Sequence, residues 1–200
     1  MRLQDIQPAI ALIQNGPVVT ELRSHTYLST YPEIIAVGQE AEIQAPQFKQ
    51  LALMVYGWMP RVLRIDSAHF PAALQAVNAA KQATAEGFEN IQIQHIADCL
   101  HSMVGASKLL HFINPNVFPI WDSKIQAFRG LSNGNYDMSN IENYLEYVRD
   151  VHAIVSEDGF DEFYERYSVV HANRLIQSNI EEYQVGNLRA IEASAFELAP

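Results

Sequence analysis

The sequence predicts an all-α fold, and three observations carry the prediction. Apolar residues recur at helical spacing along most of the chain, serine-led capping patterns precede two of these stripes, and no convincing apolar/polar alternation marks a strand. With 200 residues, 48% of them apolar and 18% charged, the chain is long enough to bury a core, and disorder is excluded as its main state. Residues 1–200 are expected to form a single helical domain, with residue 131 the place where two lobes would meet. No linker, low-complexity tract or repeat divides it.

The elements follow in order. Ile6, Ala9, Ile10 and Ile13 predict one short helix that stops at Asn15-Gly16-Pro17, because proline cannot continue it. Residues 20–44 admit two readings, a short strand or a surface helix carrying Ile34, Ile35 and Val37. From Pro46, the residues Phe48, Leu51, Ala52, Val55 and Met59 form a stripe that ends near Gly57 and Pro60. Ser67 is placed to cap a helix with Phe70, Leu74 and Val77 inward and Lys81 and Glu86 towards its polar end. Ile96, Cys99, Leu100 and Met103 make a further stripe, and Leu109, Phe112 and Ile113 another, with a turn expected at Val104-Gly105. Ser139-Asn140-Ile141-Glu142 and Ser178-Asn179-Ile180-Glu181 both fit the capping box, so each is expected to start a helix. Phe160, Phe163, Tyr164 and Tyr167 predict a shorter helix between them.

The net charge of −10 is unevenly spread: residues 1–45 carry −3, residues 46–131 carry +2 and residues 132–200 carry −9. This excludes a non-specific DNA coat but leaves room for a local anion-attracting site in the middle of the chain. The acidic last third is a candidate surface for a protein partner, although acids near helix starts also have a purely structural role. No apolar run is long enough for a membrane span and no export signal precedes the first helix, so a cytoplasmic protein is expected. Cys99 is the only cysteine, which rules out an internal disulfide and paired CxxC zinc frameworks. The seven histidines show no HExxH or i, i+4 pair, and no GxGxxG, Walker loop or GxSxG is present. Neither a metal nor a cofactor is implied.

The most informative segment is residues 99–129. A helix ends, a turn follows, Ser107-Lys108 is expected to open a second helix, and Phe118-Pro119-Ile120-Trp121 delivers Asp122 to the start of a third, Asp122-Ser123-Lys124-Ile125. From Ile91 to Gly130 this resembles the helix-hairpin-helix DNA glycosylase superfamily, in particular its 8-oxoguanine DNA glycosylase-like branch. The resemblance implies a DNA-repair enzyme acting on a flipped base, with Lys108 as nucleophile and Asp122 as the assisting carboxylate. It also implies that the hairpin around Gly105 and Ser107 grips DNA. The hairpin reads Leu100-His101-Ser102-Met103-Val104-Gly105 where the family has Leu-Pro-Gly-x-Gly, and Lys108 stands three residues beyond its glycine.

The chemistry needs that pair independently of the family. Breaking an N-glycosidic bond builds positive charge on the sugar, which a carboxylate stabilises, while an amine can attack the sugar carbon once burial or nearby cations deprotonate it. The competing structural reading makes Asp122 a helix cap and Lys108 its ion-pair partner. Trp58, Arg61 and Arg64 combine an aromatic face with two cations, the ingredients of a nucleic-acid contact, and Lys124 and Arg129 extend the basic surface. Trp58 and Met59 are equally compatible with a core position at a helix end. The alternative to an enzyme is a non-catalytic helical module that keeps the fold and binds protein or nucleic acid.

Overall fold

The computed structural model describes residues 1–39, 42–59, 61–132 and 134–200, and for Asn135 only the backbone. Pro60, an expected helix stop, lies outside them. The fold is all-α, with helix over most of the described residues and no strand among them. The first stripe is split into α1 (Leu3–Ile6) and α2 (Ala9–Asn15) rather than forming one helix. Pro8, which has no N–H for the ladder, stands at the break. The open segment is α3 (Leu22–Gly38), whose N-cap Glu21 accepts from the Arg23 and Ser24 amides and whose Tyr31 and Ile34 are buried.

Next come α4 (Ala45–Trp58) and α5 (Phe70–Lys81). Ser67 does not cap α5, because Asp66 upstream turns the chain by accepting from the Ala68 amide at 2.8 Å and His69 takes the cap position. A 3-10 turn over Phe88–Asn90 precedes α6 (Ile93–Leu100) and α7 (Met103–Ile113). The turn between α6 and α7 lies at His101-Ser102, three residues before the expected Val104-Gly105. His101 takes a left-handed conformation (φ 48°), and the Ser102 hydroxyl accepts from the Gly105 amide at 3.0 Å. Lys108 therefore sits in the second turn of α7, not at its start.

The chain continues through α8 (Ser123–Phe128), α9 (Asn135–Ser139) and α10 (Ile141–Val155). Asn140, not Ser139, caps α10, with its Oδ1 accepting from the Glu142 amide at 2.9 Å. Helix α11 runs from Phe160 to Gln177 and is longer than expected. It absorbs the second capping pattern: Ser178 is its C-cap, Asn179 is left-handed (φ 54°), and the Ile180 amide returns to the Leu175 carbonyl. Short polar side chains tolerate that conformation, so Ser-Asn ends a helix here as readily as it starts one elsewhere. Helix α12 begins later, at Asn187, and ends at Leu198.

Two helices organise the packing. All but one residue of α7, Val104, is buried, and α3, α4, α5 and α6 pack around it. On the other side α12 is surrounded by α1, α2, α8, α10 and α11. One hydrophobic cluster, extending from Leu3 to Ala195 and including Phe48, Phe112, Trp121, Tyr144 and Tyr147, joins both groups. Among the described residues no helix is long and apolar enough to cross a membrane.

Candidate functional site

The site is built around the segment that links α7 to α8, and Tyr31 of α3 joins α7, through its hydrogen bond with His111, to Arg189 of α12. That segment is pinned along its length. The Trp121 amide donates to Ser107 Oγ at 3.1 Å, the Phe118 carbonyl lies 2.9 Å from His111 Nδ1, and Tyr144 Oη donates to the Pro119 carbonyl at 3.1 Å. Because a carbonyl can only accept, His111 carries its proton on Nδ1, and its Nε2 accepts from Tyr31 Oη at 2.8 Å. Two polar side chains of α7, Ser107 and His111, thus clamp the segment whose end is Asp122.

Asp122 is the N-cap of α8. Its Oδ1 accepts from the Lys124 and Ile125 amides at 3.0 Å each. The capping half of the structural reading therefore holds. The other half does not: among the described residues Lys108 makes no ion pair with Asp122 and no hydrogen bond, and its Nζ lies 5.1 Å from the centre of the Trp58 ring. Lys108 is only 9% exposed. Burial pushes its pKa below the usual lysine value, and Arg189 and Arg23 push the same way against the pull of Asp122 and Glu192. The result is a desolvated amine that shares its surroundings with a carboxylate but is not neutralised by it.

The other sequence-predicted residues divide. Trp58 belongs to the cluster: its ring is 5.1 Å from that of Tyr27, and it meets Phe112 edge-on. Ser107 is buried and structural in its contacts. Gly105 is buried inside the first turn of α7, where a Cβ would lie 2.6 Å from Tyr56 Oη, so glycine is required by close packing and not by a turn. Lys124 is exposed, with its Nζ 4.4 Å from the Phe196 ring centre. Arg129 is committed elsewhere, paired with Asp150, which also holds the terminal amine, and stacked on Tyr147. Arg61 and Arg64 are exposed in the connection after α4, and neither forms an ion pair with the cluster.

Sequence reasoning missed the contribution of α12. Arg189 and Glu192, one helical turn apart, form an ion pair whose side chains are 16% and 2% exposed, and the Arg189 guanidinium lies 4.9 Å from the Tyr31 ring centre. Burial pushes Glu192 above the usual carboxylate value while Arg189 opposes the shift. Burial also works against the charge of Arg189, yet Glu192 holds it well above its usual value. Tyr183 stacks on Tyr31, and His171 meets Tyr183 edge-on. The signal was present: Glu192 stands four residues after Leu188 and three before Ala195, squarely on the apolar stripe. An acid in that register is buried with a partner or destabilises the helix bundle.

Comparison with protein-family models, with curated proteins and with solved structures found no match.

Proposed function

We propose that the protein is a divergent DNA glycosylase or glycosylase/lyase of the helix-hairpin-helix superfamily, acting on a damaged base flipped out of DNA. The single observation that carries this reading is the unpaired, desolvated Lys108 amine held in the same charge environment as Asp122. In the proposed reaction the Lys108 lone pair forms a bond to the sugar C1′ as the C1′–N bond breaks. The bonding pair leaves with the base, which takes up a proton. Loss of a proton from the new secondary ammonium and opening of the sugar ring then give an imine. Asp122 stabilises the positive charge that develops on the sugar. The half-buried Trp58 ring, 5.1 Å from the amine, supplies an aromatic surface for an extruded base.

The test is borohydride trapping on DNA carrying a panel of damaged bases. A covalent adduct is expected with the unaltered protein and none with Lys108→Gln. Asp122→Asn is expected to slow base release by roughly two orders of magnitude or more, because it removes the charge while asparagine still caps α8. Trapping that persists in Lys108→Gln removes Lys108 from the reaction. No release from any lesion shifts the reading to a non-catalytic helical module that binds a protein through its acidic last third. That second reading draws on the 13 acidic against 4 basic side chains of residues 132–200.

A further inference from the structure

Residues 6–20 carry no charged side chain, in a chain whose net charge is −10. This stretch contains α2 and the turn after it, and the Val19 amide ties it to the end of α11 by donating to Ser178 Oγ at 3.2 Å. Between them α2 and α11 enclose a groove of about 620 Å³. Its floor is apolar, formed by the buried Ile10, Ile13 and Val170. None of its lining residues belongs to α7 or α8, so the face is separate from Lys108 and Asp122.

A ridge runs beside the groove. On α11 the side chains of Val169 and Ile176, two turns apart, are 61% and 55% exposed, with exposed Asn173 between them. At 3.6 residues per turn, Glu165 falls about 40° to one side of Val169 and Arg166 about 60° to the other. Arg166 and Val170 thus share the flank towards α2. Glu165 and Arg166 are both exposed, and neither forms an ion pair among the described residues. They do not satisfy one another, because side chains at i and i+1 of a helix diverge.

A face with a ridge beside a groove is complementary to itself under a two-fold rotation, since each ridge enters the other copy's groove in the same movement. With the axis running alongside α11, Val169 and Ile176 meet their own counterparts, and Glu165 of each copy meets Arg166 of the other. An acidic or a basic partner would leave one of these two charges facing its own sign. The uncharged α2 serves the same end: two strongly acidic molecules repel, and a strip without charge is where they can approach. We propose that the α2–α11 face is the docking surface for a second copy of this chain, with Val169 and Ile176 at its centre and reciprocal Glu165–Arg166 pairs at its rim.

Sedimentation equilibrium over a concentration series of the unaltered protein is the first test. A monomer–dimer equilibrium is expected, and a monomer at every concentration overturns the proposal. Val169→Glu and Ile176→Glu place unpaired acids in the contact, and each is expected to weaken association about tenfold or more. Both side chains are exposed within one chain, so the circular dichroism spectrum is expected to stay unchanged. Leu53→Glu, at a 60% exposed position of α4, is expected to leave association as it was. A dimer that survives Val169→Glu and Ile176→Glu uses another face and overturns the proposal.

Charge reversal tests the pairing itself. Arg166→Glu is expected to weaken association about tenfold, because the change acts at both symmetric pairs. Glu165→Arg is expected to weaken it as well, although it lowers the overall repulsion between the copies. The double variant Glu165→Arg with Arg166→Glu rebuilds both pairs and is expected to return association to within about threefold of the original. A double variant no stronger than the single ones overturns the two-fold pairing. Cysteine cross-linking gives an independent reading, since native Cys99 is fully buried. Under mild oxidation Val169→Cys is expected to form a disulfide between copies and Leu53→Cys is not. Cross-linking that fails to distinguish these two positions overturns the proposal.

Discussion

Ser107 shows how one side chain fixes the geometry of a candidate site it does not join. Its hydroxyl accepts from the Trp121 amide, and both residues are fully buried. Ser107→Ala leaves that N–H without a partner in the core, which is expected to cost about 1–3 kcal/mol of stability, read as a lower urea midpoint. The same variant should loosen the segment that delivers Asp122. Lys108 illustrates the opposite logic. The sequence places a lysine inside an apolar helix, and the physical question is whether it pairs or stays alone. An ion pair with Asp122 is the simpler expectation; the α8 amides engage only its Oδ1, and Lys108 Nζ lies 5.1 Å from the centre of the Trp58 ring instead of on a carboxylate oxygen.

Among the elements, α7 and α12 carry the site, and they were legible to different degrees. The apolar periodicity of residues 96–113 places α6 and α7 correctly. It does not locate the turn between them, because the left-handed residue is a histidine and not a glycine. Gly105, which looks like that turn, is explained by Tyr56 packed against it, a contact between helices that no local pattern reveals. The Ser178 pattern misleads for a related reason: the same short polar residues satisfy either end of a helix, and the tertiary path of 180–186 selects the C-terminal use. Helix α3 was open in the sequence because its apolar residues face two partners, α4 and α7. At its end Gly38 meets the Phe112 carbonyl so closely that an added Cβ would lie 1.9 Å from the oxygen. Gly38→Ala is therefore expected to force α3 away from α7 and lower stability by about 1–3 kcal/mol or more, measured by denaturant unfolding.

For the whole molecule, burial of ionisable groups couples stability to pH. Burial pushes His111 down to about 3 and His171 to about 4, from the ordinary value of 6.5, with Arg189 adding to both shifts. In the unfolded chain these rings take up protons first. Their contribution to stability is complete above the ordinary histidine value and is lost progressively as pH falls from about 6.5 towards the folded values. Glu192, shifted upward, acts in the opposite sense around the carboxylate range. Urea midpoints are expected to fall as pH is lowered through this window, and His111→Gln is expected to flatten the slope. The all-α class is readable because periodicity is local, whereas the link from α7 to α12 through Tyr31, across four intervening helices, is not.

The proposed chemistry turns on the state of one amine. The pH titration of Lys108 in the free protein, followed by its ε-13C signal and assigned by Lys108→Gln, tests this most directly. A midpoint below the ordinary lysine range is the result expected of a desolvated, unpaired ammonium beside Arg189. A midpoint in the ordinary range or above it would show an amine that is solvated or neutralised by Asp122, and would contradict the assignment of Lys108 as a nucleophile.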